Sequence, residues 1–247
     1  MTLIIGFSGK KQSGKTTSAN FLYSIALSTR DGIDQVTLTN QGTIQVKKNG
    51  SDQIIDVDVV KYYNNIGFID EDIAKIIDDL SSHIKIYSFA DPLKQDICMN
   101  MFGLSYEQCY GTDEQKNEPT DMIYDNRYLS GRDIMQLVGT DFFRAVKPNI
   151  WPEATIRKIL KDRPNIALVT DCRFPNEVDV IKDNNGVVIR LTRTLPKTDG
   201  EIEHKSETAL DESNYDWSKF NYVVDNKDLD ILEQCNMVYE ILTKEVK

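Results

Sequence analysis

Gly9 to Thr16 read Gly-Lys-Lys-Gln-Ser-Gly-Lys-Thr, a glycine-bounded loop ending in a lysine and a hydroxyl residue. The spacing GxxxxGK[ST] suits the gripping of a polyphosphate. Glycines let consecutive backbone N–H groups curl around an anion, the lysine reaches the outer phosphates, and the hydroxyl holds Mg²⁺. The apolar run Leu3 to Phe7 before the loop suits a buried strand, and Thr17 to Leu27 after it has helical potential. A helix there adds its positive dipole end to the anion site. We therefore expect Gly9, Ser13, Gly14, Lys15, Thr16 and Thr17 to take the phosphates of a nucleoside triphosphate, with Thr16 helping to hold the metal. Lys11, inside the loop, either lies in solvent or faces a second phosphate.

Other residue types able to handle phosphate follow apolar runs later in the chain. Where strands alternate with helices, ligands gather beyond the carboxyl ends of the strands. Asp91 and Lys94 follow the run ending at Phe89, and Asp171 and Arg173 follow Ile166 to Val169. An aspartate at a strand end can hold magnesium through water, and an arginine offers a planar fork to phosphate oxygens. The alternative for each pair is a helix cap beside a surface ion pair. Arg190, Arg193, Lys197, His204 and Lys205 lie in or beside a late polar stretch. A segment of this kind either closes over transferring phosphates or is simply solvated.

The elements that must position these residues are legible in outline. Helices are expected from Thr17, over Asp70 to Leu80, from Pro92 with Asp91 as cap, from Ser130, and over Pro152 to Leu160, Glu177 to Asn184 and Leu229 to Val246. Strands are expected over Leu3 to Phe7, His83 to Phe89, Ile166 to Val169, Val187 to Thr192 and Tyr222 to Val224. Asp171 then stands just past a strand end, Tyr110 to Tyr124 reads as turn-like, and Gly139 and Thr140 interrupt the helix from Ser130. Residues 31–58 hold three short β-rich pieces, Val36 to Thr39, Thr43 to Val46 and Ile54 to Val57, separated by Asn-Gln-Gly and Lys-Asn-Gly-Ser turn signals; without acid, base or ligand clusters this β-hairpin insertion reads as structural, the alternative being a recognition flap. The whole predicts an α/β fold, a mainly parallel sheet flanked by helices, in one domain over 1–247 with a lid segment at 193–207.

Composition narrows the function classes. With 29 basic and 39 acidic residues, the formal charge of −10 disfavours a broad nucleic-acid surface and stable nucleic-acid binding. Four cysteines without a C-x-x-C pair, and two histidines, make a poor metal set. Neither a charged leader nor an apolar stretch of about 20 residues is present, so we expect a cytoplasmic protein without membrane partners.

The chain resembles the deoxynucleoside monophosphate kinases encoded by tailed phages and, more distantly, other P-loop kinases. The resemblance is carried by Ser8 to Thr17, Phe89 to Lys94, Arg132 to Asp141, Trp151, Thr170 to Glu177 and His204 to Glu207. It implies transfer of the γ-phosphoryl of ATP, with Mg²⁺, to a deoxynucleoside 5′-monophosphate for DNA precursor supply, in the host cytoplasm if phage-encoded. It implies Lys11, Lys116, Arg132, Gly139, Trp151, Asp171, Arg173 and Glu177 around the monophosphate, with Trp151 packing on the nucleobase. It also puts Arg193 in the closing lid and suggests a homodimer. Lys15, Arg132, Asp171 and Arg173 are then the catalytic candidates, and Lys94 joins the acceptor set. The insertion at 31–58 departs from the family pattern. Two other readings stay open: a P-loop kinase for another phosphorylated small molecule, and an ATP-hydrolysing switch acting on a protein or DNA.

Overall fold

The computed structural model describes residues 1–63, 69–194 and 205–246. They group into two compact units, residues 1–88 with 158–247 and residues 89–157. From sequence the same stretch was expected as one domain with insertions.

The larger unit begins with strand β1 (Leu3–Ser8), helix α1 (Lys15–Ser28), strands β2 (Ile33–Leu38), β3 (Ile44–Lys48) and β4 (Ile54–Val57), helices α2 (Val59–Tyr63) and α3 (Glu71–Leu80), and β5 (Ile84–Tyr87). The smaller unit holds helices α4 (Tyr106–Tyr110) and α5 (Asp113–Asn117), strands β6 (Pro119–Tyr124) and β7 (Arg127–Ser130), and α6 (Gly131–Gln136). Next come α7 (Ile150–Asp162), β8 (Ile166–Cys172), α8 (Pro175–Asp183), β9 (Val187–Leu191), α9 (Lys205–Thr208), β10 (Tyr222–Val224) and α10 (Ile231–Glu245).

The sheet of the larger unit is parallel throughout, in the order β10-β9-β1-β8-β5. Its strands are continuous apolar runs because both faces are covered, as parallel sheets require. Ile5 and Phe7 share a core with Ala19, Leu22 and Tyr23 of α1. Gly6, pointing to the opposite face, lies against Ile181 of α8. The strand expectations therefore hold in number and place. One register irregularity matters for the site: Gly6 pairs with Val169 but Ser8 with Cys172, so β8 carries an extra residue at Thr170-Asp171. Bulges of this kind re-aim side chains. Asp171 accordingly lies inside β8 rather than just past its end.

Residues 31–58 form a three-stranded antiparallel sheet, β2-β3-β4, one strand at each of the three expected β-rich pieces. Alternation explains it, since Ile44, Val46 and Val57 are fully or almost fully buried in the core shared with α1. Helix α3 starts where expected, with the Asp70 carboxylate accepting from the N–H groups of Asp72 and Ile73.

In the smaller unit three expectations need correction. Residues Pro92–Met99 form a π-helical segment, and Asp91 makes no cap hydrogen bond; its carboxylate accepts from the Tyr110 hydroxyl at 2.8 Å. The stretch read as turn-like, 110–124, contains α5 and β6. Thr112 and Gln115 make a reciprocal capping box that holds α5, the T-x-x-Q signal of a helix start. Gly139 and Thr140 do not interrupt their helix, which continues as a π-helical segment over Leu137–Arg144. Gly139 packs closely on Leu93, whose side-chain tip would have to shift for a Cβ there.

Candidate active site

The Gly9–Thr16 loop joins the buried end of β1 to the first turn of α1. It turns tightly through positive φ at Gly9 (152°), Gln12 (59°) and Gly14 (98°). A Cβ on Gly14 would collide with the side-chain amide of Gln234, so glycine is needed for contact as well as for conformation. Lys15 is 7% exposed, and its ammonium donates to the carbonyls of Gly9 at 2.8 Å and Lys10 at 2.5 Å. Burial, followed by the charges of Arg173 and Arg190, lowers its pKa to about 7, while Asp171 opposes the shift. Thr16 is exposed, and Thr17 is half-buried against Gly42.

Two buried amides that sequence reasoning missed hold this loop. Asn226, fully buried, donates to the Ser13 carbonyl at 2.8 Å and to Gln234 Oε1 at 2.5 Å. Gln234, 1% exposed on α10, donates to the Gly14 carbonyl at 3.1 Å and Ser18 Oγ at 2.9 Å. These bonds fix the loop through its carbonyls at Ser13 and Gly14. Arg193 belongs to the same cluster. Its backbone N–H donates to Asn226 Oδ1 at 2.7 Å, and its guanidinium donates to the carbonyls of Asn226 and Leu229. The expected lid arginine is thus tied to the connection between β10 and α10. Lys197 and His204, from the same expected lid, lie outside the described residues.

At the end of β8, Asp171 accepts from Ser88 Oγ at 2.5 Å. Arg173 pairs with Glu207 of α9, and the other oxygen of Glu207 accepts from the Lys11 N–H at 2.8 Å. One carboxylate thus engages an amide of the phosphate loop and the arginine expected to bind phosphate. Glu177 has a different place: 1% exposed, it accepts from the N–H groups of Arg173 and Phe174 and closes the first turn of α8. It shapes the turn that presents Arg173. Arg190, 5% exposed within β9, donates to Ser8 Oγ at 3.1 Å, adding a buried positive charge beside the loop. The sequence placed Arg190 in or beside a late polar stretch; the structure puts it inside a buried strand.

The smaller unit carries the remaining expected residues. Lys94 sits over the Tyr110 ring at 4.2 Å, in a cluster with Asp91 and Gln95. A hydrogen bond from Cys98, helped by the charges of Lys94 and Lys116, lowers the pKa of the Cys109 thiol. Arg132 pairs with Asp113 at 2.6 Å and is partly exposed. Trp151 is 5% exposed, packs against Phe143, and donates its indole N–H to the Gly139 carbonyl at 3.0 Å. That leaves no open ring face for a nucleobase, and Trp151 is part of this unit's core.

The oxygen donors at the loop, the Thr16 hydroxyl and the Asp171 carboxylate, fit a hard cation that binds through few protein groups, phosphates and water. Among the described residues no cluster of three or more metal-ligating side chains offers a cage for a softer metal. None of their helices is long and apolar enough to cross a membrane.

A sequence model of the family described as deoxynucleotide monophosphate kinase matches residues 3–235. A protein of Acanthamoeba polyphaga mimivirus, provisionally named as a deoxynucleotide monophosphate kinase, is 37% identical over 135 residues, covering 50% of this chain and 67% of that protein. The deoxynucleoside-5′-monophosphate kinase of Escherichia phage T5 is 29% identical over 111 residues, covering 40% of this chain and 44% of the phage protein.

Proposed function

This chain belongs to the deoxynucleotide monophosphate kinase family of phosphotransferases, and on that premise we propose that it transfers the γ-phosphoryl of ATP to a deoxynucleoside 5′-monophosphate. The products are ADP and a deoxynucleoside diphosphate for DNA precursor supply, made in the cytoplasm. The observation that carries the reading is the buried Lys15 ammonium, held inside the phosphate loop and close enough to Arg173 and Asp171 for their charges to shift it.

Phosphoryl transfer needs positioning and charge neutralisation more than covalent chemistry. The loop N–H groups and Lys15 hold the donor's phosphates. Thr16 and Asp171 would hold Mg²⁺, which supplies charge neutralisation at the phosphate oxygens. Arg173 and Arg132 take the acceptor's phosphate, with Lys11, Lys94 and Lys116 as further positive charge. Arg193, its guanidinium held by the carbonyls of Asn226 and Leu229, is a further cation on the donor side. The acceptor oxygen is already anionic near neutral pH, so no strong general base is required, and Asp171 would position metal-bound water or the acceptor. Asp171→Asn should therefore lose activity at limiting Mg²⁺ and limiting acceptor; full activity under both conditions would remove that role.

A coupled ADP-release assay with dTMP, dGMP, dCMP or dAMP tests the reaction. We expect ADP only when one of these acceptors is present. Acceptor-independent hydrolysis stimulated by DNA or protein would favour the switch reading instead.

A further inference from the structure

Residues 31–58 read from sequence as structural, yet the sheet they form does more than cover α1. Strand β2 and its turn line a cavity of about 950 Å³ within the larger unit. This is at the upper end of the range for small-molecule sites, roughly 300–1,000 Å³. Its floor is α1: Phe21, Ser24 and Ser28 line it and share one helical stripe with Thr17. Thr17 directly follows the phosphate-loop motif and stands at the near end of that stripe, just outside the cavity's lining. The β2–β3 turn is pinned at this end, since Gly42 packs on Thr17 and its carbonyl accepts from Asn20 Nδ2 at 2.8 Å. From Thr17 to Ser28 the stripe runs about 16 Å, long enough for a nucleoside whose phosphates lie in the loop.

The walls differ in chemistry. Val36 and Leu38 of β2 and Leu229 before α10 offer apolar surface. Asn40, Arg193 and Asp228 put polar groups around it. Apolar walls with a few polar groups suit a base, which has two flat apolar faces and a polar edge.

We propose that the β2–β4 sheet is a selectivity wall for the phosphoryl donor, closing this cavity over the donor's nucleoside and choosing among bases. The inference rests on the kinase reading above and deepens it, since it gives the insertion a part in donor recognition.

Calorimetry on the full chain with MgATP and with inorganic tripolyphosphate separates the two. Tripolyphosphate engages the loop alone, whereas MgATP engages loop and cavity. Leu38→Trp, which fills the cavity, should weaken MgATP at least tenfold while leaving tripolyphosphate within twofold. Asn40→Ala, at an exposed position that folding does not depend on, should shift the ratio of ATP to GTP affinity at least threefold. Wild type that binds tripolyphosphate and MgATP, with both affinities and the ATP to GTP ratio unmoved by the variants, would overturn the wall and leave the kinase reading standing. An equal loss of tripolyphosphate and MgATP in Leu38→Trp would also overturn the wall, because the lesion would then lie in the loop. Wild type that binds neither probe would overturn the donor reading itself, and the wall with it.

Discussion

Lys15 carries a consequence at the scale of a single residue. Its folded pKa of about 7 is depressed from 10.5, chiefly by burial. Polyphosphate beside the ammonium favours the charged form, so binding raises that pKa. Between the free and bound values, binding takes up a proton and affinity falls as pH rises; below about pH 7 the lysine is already charged and the dependence vanishes. Nucleotide titrations at pH 8 in buffers of different ionisation enthalpy should show proton uptake that Lys15→Ala abolishes, and equal uptake in both proteins would refute it. Trp151 makes the contrasting case. Trp151→Phe removes the indole N–H from the Gly139 carbonyl, at a cost of about 1–3 kcal/mol in unfolding free energy. The acceptor KM should stay within twofold; a tenfold rise would restore Trp151 to the base site. The phosphate loop was legible because eight adjacent residues carry its whole pattern. Trp151 was misassigned because burial, which decides its role, comes from packing in its own unit.

At the scale of elements, what holds the loop comes from far away in sequence. Gln234 reaches Gly14 across 220 positions, and Asn226 reaches Ser13 across 213. No local pattern marks such amides, and α10 reads simply as an amphipathic helix. Gln234→Leu should remove one donor to the Gly14 carbonyl and take away the acceptor that Gln234 Oε1 offers the buried Asn226 amide, lowering unfolding stability by about 1–3 kcal/mol. Loosened loop geometry should raise the KM for ATP about tenfold with acceptor KM unchanged, and Gln234→Glu should not rescue it because a carboxylate cannot donate to the Gly14 carbonyl. A uniform loss of kcat with both KM values intact would argue against this. The parallel strands were readable as continuous apolar runs. The bulge that places Asp171 inside β8 was not, because it depends on pairing with β1 rather than on composition. Helix α5 was readable in principle, since Thr112 and Gln115 carry a start signal that the surrounding polar residues obscured.

At the scale of the whole molecule, the residues proposed for the donor, Gly9 to Thr17, Asp171 and Arg193, lie in the larger unit together with Arg173. The smaller unit carries Lys94, Lys116, Arg132, Gly139 and Trp151. The division was hidden in the sequence because no linker or change of composition marks residues 89 and 157. The net charge of −10 leaves phosphate recognition to local clusters of lysine and arginine. Family membership turns these parts into one claim, that the phosphoryl group leaves ATP for a nucleotide rather than for water. The direct measurement is to follow label from [γ-³²P]ATP with each of the four deoxynucleoside monophosphates, using wild type and Lys15→Ala. We expect label in a deoxynucleoside diphosphate, dependent on the acceptor and lost in folded Lys15→Ala. Label appearing only as inorganic phosphate, whatever the acceptor, would contradict the account.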